Sequence, residues 1–214
     1  ILEILERVRP EVAIDRSPRD GTLIKGTYTL SRSMNGPSGG PFGIADDSGW
    51  AGLAWNHPGS RHRNYGPAGY DRTHVFAIGW ALTLPSPRRV ATFQRLLAGW
   101  HVSGLLQLAS GTPFTVLAPG ESLNAPGNQQ VADRVGAVRR TGRIERDKPF
   151  YDPAWWRPVG ETRFGNDSRN SVRGPGLRNV DMIVSRRFAR QDGASLDARI
   201  EVLNVFNSPR WDNP

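Results

Sequence analysis

Apolar and polar residues alternate along this chain in a way that predicts an all-β protein: five or six strands of an antiparallel transmembrane β-barrel. Three observations predict it. Apolar residues recur at every second position over several stretches, the period of side chains that alternate across a strand. The apolar sides of those stretches carry no charge within their spans. The connections between them alternate between short and long, as outer-membrane barrels require.

The hairpin near the C-terminal end shows the pattern best. Val180, Met182, Val184 and Phe188 point one way, and Asn179, Asp181, Ile183, Ser185 and Arg187 the other. Leu196, Ala198, Ile200, Val202 and Phe206 share a face opposite Asp197, Arg199, Glu201 and Leu203. Between the runs lies Arg190-Gln191-Asp192-Gly193, whose Asp-Gly supplies the backbone angles of a tight turn. Strands are expected near 178–188 and 195–206.

Upstream, residues 1–16 read as a strand interrupted by Pro10, with a short helix over 1–9 as the alternative. Arg19-Asp20-Gly21 is a turn, and a strand is expected near 22–33, with Ile24, Tyr28 and Leu30 on its apolar side. Residues 34–72 form a long loop that opens with Asn35-Gly36-Pro37-Ser38-Gly39-Gly40-Pro41. A strand near 73–84 sets Phe76, Ile78, Trp80, Leu82 and Leu84 against Val75, Ala77, Gly79, Ala81 and Thr83. The next, near 97–109, sets Trp100, Val102, Leu106 and Leu108 against His101, Ser103, Leu105 and Gln107. Gly111–Val116 is expected to extend it past a kink. Residues 110–177 form the second long loop, with one helical turn at Asp152–Trp156.

The bilayer explains this layout. Backbone groups at membrane depth must all be paired within the protein, so only helices and closed barrels cross. No run of 18 apolar residues is present, which excludes a transmembrane helix but not transmembrane strands. Two structureless loops this long would be unusual in a compact soluble domain. Trp100, Phe188 and Leu84 fall near the short turns, and Tyr70 and Phe206 near the long loops, where aromatic girdles belong. The competing reading is a soluble β-rich ligand-binding module, such as a carbohydrate binder, with one sheet face packed on a core.

Composition narrows the functional classes. The net charge is +8, and Lys25 and Lys148 are the only lysines among 28 basic residues. The arginines are scattered rather than gathered into a stripe, so nucleic acid is not an expected partner. With no cysteine, neither a disulfide nor a thiolate metal site is available.

Catalytic patterns are poor, and no enzyme activity, cofactor or metal is expected. Gly36-Pro37-Ser38-Gly39-Gly40 matches the serine-hydrolase elbow, but Pro41, Phe42 and Gly43 follow where that motif needs a helix. His57 and His62, with Asp46 and Asp47 upstream, fit a solvated loop better than a metal site. His74 and His101 belong near strand ends or in the lumen. Asn166, Asn170, Arg173 and Asn179 are polar and approach a strand, so they are candidate ligand contacts. The turn chemistry of Gly174-Pro175-Gly176 favours a role in shaping the loop instead, and no site residue is nominated.

Several motifs carry a family resemblance. They are Phe164-Gly165-Asn166, Arg169-Asn170-Ser171-Val172-Arg173-Gly174-Pro175-Gly176, Asn179-Val180-Asp181, Arg187-Phe188 and Glu201–Pro209. Tyr70–His74, Gly99–Gly104 and Ser110–Phe114 add to them. Together, over about residues 22–209, they resemble the barrel domain of TonB-dependent outer-membrane receptors, closest to the Oar-like group. The resemblance implies an outer-membrane location in a Gram-negative bacterium and import of a large, unnamed solute. It also implies outer-membrane lipid, a plug, further barrel strands and the TonB complex as partners. The family's regulatory domain, plug, energy-coupling box and aromatic-ended last strand do not occur within these 214 residues. The expectation is therefore a piece of a larger barrel, over residues 1–214.

Overall fold

The computed structural model describes residues 11–16, 22–35, 62, 65–84, 99–120, 122, 129–141, 145, 148–189 and 193–213. Six long strands dominate: β1 (Glu11–Arg16), β2 (Leu23–Leu30), β3 (His74–Thr83), β4 (Trp100–Ala109), β5 (Leu177–Ala189) and β6 (Ser195–Val202). Each pairs antiparallel with the next in chain order, giving one six-stranded meander. The possible helix over 1–9 and the turn at Arg19-Asp20-Gly21 lie outside the described residues.

The register puts every even-numbered strand residue on one face. Successive rows of that face read Ile14–Gly26–Ile78–Leu106–Val180, Ile24–Trp80–Gly104–Met182–Val202 and Leu82–Val102–Val184–Ile200. From β2 to β6 these rows carry no charge; in β1 the last residue, Arg16, pairs with Ile24 at the edge of the second row. Rows of the odd face read Thr27–Ala77–Gln107–Asn179, Lys25–Gly79–Leu105–Asp181 and Thr83–His101–Ser185–Arg199. The Thr83 hydroxyl and His101 Nδ1 lie 3.1 Å apart there, and Arg187 donates twice to Asp197 at 2.7 and 3.0 Å. A one-residue slip in any pair would carry its apolar set to the polar side, so the two faces fix the register.

Among the described residues nothing covers either face as a soluble sheet would be covered. Among the described side chains of the six strands, only Gly26 and Asn179 are buried. Among the described residues the buried apolar ones are Ala68, Ala118, Val131, Ala132, Val159 and Val172, all in the connections beyond one end of the sheet. A soluble sandwich would place its core under the sheet. Ile200 is 61% exposed although its whole row is apolar, which fits a hydrocarbon solvent rather than a protein layer. Among the described residues no helix is long and apolar enough to cross a membrane.

On the even face, Trp80 lies over Gly104, its partner in the ladder, and fills the space a larger residue would need. Near the short-turn end, the Arg186 guanidinium sits 5.8 Å from the Trp100 ring and 4.6 Å from that of Phe188. An arginine on the apolar face is tolerated there because it stands at an aromatic girdle rather than at mid-membrane. Gly193, with φ 87°, supplies the left-handed backbone angle in the turn between β5 and β6.

Some elements end differently from the sequence expectation. The run expected over 195–206 stops at Val202. Asn204 takes a left-handed conformation with φ 49°, and its N–H donates to Asp181 Oδ1 at 2.8 Å. Phe206 therefore leaves the ladder and is 74% exposed. Gly111–Val116 does not prolong β4; instead Pro113–Phe114 pairs with Val172–Arg173.

Placing a charge on each face tests which one meets lipid. Ile78→Arg, near the middle of β3, is expected to destabilise the barrel by about 2–4 kcal/mol. Thr27→Arg, on the odd face of β2, is expected to stay within about 0.5 kcal/mol. Urea unfolding in lipid vesicles, followed by the gel mobility of folded and unfolded forms, measures both.

Candidate functional site

The described parts of both long connections fold into a cap beyond the same end of the sheet. Short ladders organise it: Met34–Asn35 with Gly66–Pro67, Leu117–Pro119 with Gln129–Val131, and Asp133–Arg134 with Trp156–Arg157. The expected helical turn is a 3-10 turn at Pro153–Trp155, where Asp152 accepts the Ala154 N–H at 2.9 Å. Two or three residue pairs are too few to show as periodicity, which is why these regions read as loops.

The cap is held by buried polar groups. The Asp71 side chain is fully buried, accepts the Ser33 N–H at 2.6 Å and forms an ion pair with Arg173. Arg173 also donates to the carbonyls of Asp71 and Gly111, at 3.1 and 3.2 Å. Arg169 donates to Asn35 Oδ1 at 2.6 Å. Asn170, with φ 51°, donates its N–H to the Thr115 hydroxyl at 2.9 Å and its side-chain amide to the Pro67 carbonyl at 2.7 Å. Arg169, Arg173 and the Asn170 side chain tie the second long connection to the first, while Ser33–Asp71 and Asn170–Thr115 close each connection on itself. Removing one partner from a buried pair such as Asp71–Arg173 leaves an uncompensated charge, so the arrangement specifies a single fold of the cap.

A second cluster lies around Asp133. Arg163 donates to both carboxylate oxygens, at 2.8 and 2.7 Å, and the Asn166 N–H donates at 3.0 Å. These partners, Arg163 first, hold the Asp133 carboxyl below its ordinary 3.8, and the Arg163 guanidinium is correspondingly raised. Nearby, Gln130 is fully buried and accepts the Gly165 N–H at 3.2 Å. Gly165 packs against the Val131 carbonyl so closely that any side chain there would clash.

The four polar candidates from the sequence are all placed. Asn166, Asn170 and Arg173 hold the cap together. Asn179 sits at the odd-face edge of β5 and donates to Asp181 at 2.8 Å. Each therefore makes contacts within the protein. His74 and His101 are at strand ends; the Tyr28 hydroxyl and His74 Nδ1 lie 2.8 Å apart on the even face. His62 is exposed, and His57, Asp46, Asp47 and Gly36–Gly40 lie outside the described residues. Among the described residues no group of three His, Asp or Glu side chains converges as a metal site does.

The cap leans over the sheet end and leaves an open concavity of about 1000 Å³. Its floor includes His74, Phe76, Leu108 and Arg178, and its roof Arg140, Phe150 and Trp211. Arg140 stands over the Phe150 ring at 5.2 Å. Sequence reasoning passed over Arg140 and Arg178. The signal for Arg178 was its even number, which puts it on the apolar face at the end of a strand.

An uncovered amphipathic meander with its one polar core at the long-loop end is the anatomy of a membrane barrel wall. A family model of an outer membrane beta barrel domain matches residues 11–214. The chain belongs to that family. It is therefore a protein of the cell outer membrane; the even face meets lipid and the odd face the barrel interior. The cap, at the end of the long connections, lies on the outer side. No curated protein and no solved structure matches the chain.

The Asp133 cluster makes the cap pH-sensitive in one direction. A lowered carboxyl contributes stability above its unfolded value of about 3.9 and loses it as pH falls through the lower folded value. Hydrogen exchange over residues 129–141 and 161–167, corrected for intrinsic rates, should rise between about pH 5 and pH 2.5. Asp133→Asn should raise exchange at neutral pH and flatten that dependence. An unchanged profile in the variant would contradict the assignment.

Proposed function

We propose that this chain is part of the barrel of a TonB-dependent receptor of the Oar-like type. Such a receptor binds a large solute at its outer surface and imports it with energy from the inner membrane. The observation that carries this reading is the cap. Outer-membrane pores leave an open aqueous mouth, whereas here the second long connection is tied into a rigid outer structure by buried pairs such as Asp71–Arg173. The residues of the family resemblance, Arg169 to Gly176, are the ones that fasten it.

The same reading makes the chain one portion of a larger ring. Among the described residues, β1 and β6 are each paired on one side only, and the smallest bacterial barrels have eight strands. Strands contributed by the rest of the protein would pair with both edges, and a plug would fill the lumen lined by Lys25, Asp181 and Arg199. Solute capture by the outer connections would then be coupled to movement of that plug.

Energy coupling is the test. The complete receptor, expressed in its host, should cross-link to the TonB protein of the inner membrane. Deleting its gene should abolish uptake of at least one solute from the growth medium, and a proton uncoupler should have the same effect. Uptake that continues unchanged with the uncoupler, together with no cross-link, would refute the proposal and leave a passive or adhesive barrel.

A further inference from the structure

The geometry points to a seat for an anionic lipid of the outer leaflet in the concavity where the cap overhangs the sheet. This goes beyond solute import, because the floor carries even-register side chains. His74, Phe76, Leu108 and Arg178 stand on the lipid-facing side of β3, β4 and β5, at the outer end of those strands. A soluble solute on its way inward would follow the odd face.

Charge names the ligand class. The lining carries Arg140, Arg173, Arg178 and His74 and no carboxylate. Arg173 is neutralised by Asp71. Arg140 and Arg178 are both exposed, and neither has a carboxylate partner among the described residues. Two guanidiniums without a carboxylate partner among the described residues, at the outer end of the lipid-facing side, attract phosphate, and their planar donors suit its oxygens.

The remaining surface fits the rest of a lipid. Phe76 and Leu108 share a row with Arg178 and lead into the apolar rows of the even face, a path for acyl chains. Phe150 and Trp211 add aromatic surface to the lining, the kind of amphipathic contact found at membrane interfaces. A phosphorylated glycolipid satisfies all three zones. The cavity of about 1000 Å³, at the upper end of the usual ligand range of about 300–1000 Å³, has room for its phosphorylated headgroup, with the acyl chains left on the even face.

Lipid titration with detection by native mass spectrometry tests this. The complete barrel protein, extracted in non-ionic detergent and delipidated, is titrated with lipid A and separately with phosphatidylcholine. Lipid A should bind about tenfold or more tightly than phosphatidylcholine, and the Arg140→Gln/Arg178→Gln pair should lose about that preference. Excess inorganic phosphate should not displace the lipid. Equal binding by the double variant would overturn the inference. Displacement by phosphate would also overturn it, since it would mark a soluble-anion site. If the double variant lacks the folded gel mobility, Arg178→Gln and Arg178→Lys decide: glutamine should weaken binding and lysine retain it, and equal binding by both overturns the seat. Transport is not measured in any arm, so failure here leaves the import proposal untouched.

Discussion

Backbone pairing in a solvent that offers no hydrogen bonds is the constraint from which the other features follow. Each amide and carbonyl at membrane depth must find its partner on a neighbouring strand. The meander meets this with unbroken ladders, β3 to β4 from Val75↔Ala109 to Thr83↔His101 and β4 to β5 from Trp100↔Arg186 to Ala109↔Leu177. Long ladders admit one register, and that register places all even-numbered strand residues together. The apolar face is thus a consequence of pairing as much as of composition. Charges that fall on it, Arg16, Arg178 and Arg186, stand near the ends of their strands, where water or headgroups can reach them.

Beyond the membrane the physics reverses. Water is available, so connections need not be regular, and order must come from specific contacts. The cap supplies them through buried polar groups rather than a large apolar core. Asp71, Asp167, Arg169 and Asn170 are each nearly inaccessible, while the buried apolar side chains are small alanines and valines. Such pairs add little net stability, but they penalise alternative folds of the connections. A rigid outer structure on a lipid-anchored wall can hold a ligand-binding shape against the motion of the bilayer.

The strands were legible in the sequence because the bilayer writes a two-residue period over nine or ten positions. Phe76 to Leu82 and Trp100 to Leu108 cannot be read otherwise. The cap was not legible, because its ladders span two or three pairs and its ties join residues far apart, such as Arg169 to Asn35 and Arg173 to Asp71. No local pattern encodes a contact across a hundred positions. Strand ends were also misplaced at Phe206, where Asn204 turns the chain by a bond to Asp181 that alternation cannot show. Arg178 and Arg186 were overlooked on the apolar face because only the hydrophobic members of each run were counted.

The central claim is that even and odd positions face different solvents. The chain has no cysteine, so single cysteines along β3 can carry a nitroxide without background. With the complete protein in lipid vesicles, collision with oxygen and with a water-soluble nickel chelate would be measured at each position from 75 to 83. The account predicts opposite two-residue oscillations: oxygen access high at 76, 78, 80 and 82, and chelate access high at 75, 77, 79, 81 and 83. Low access to both reagents at 76, 78, 80 and 82, the mark of a second protein layer over that face, would contradict it.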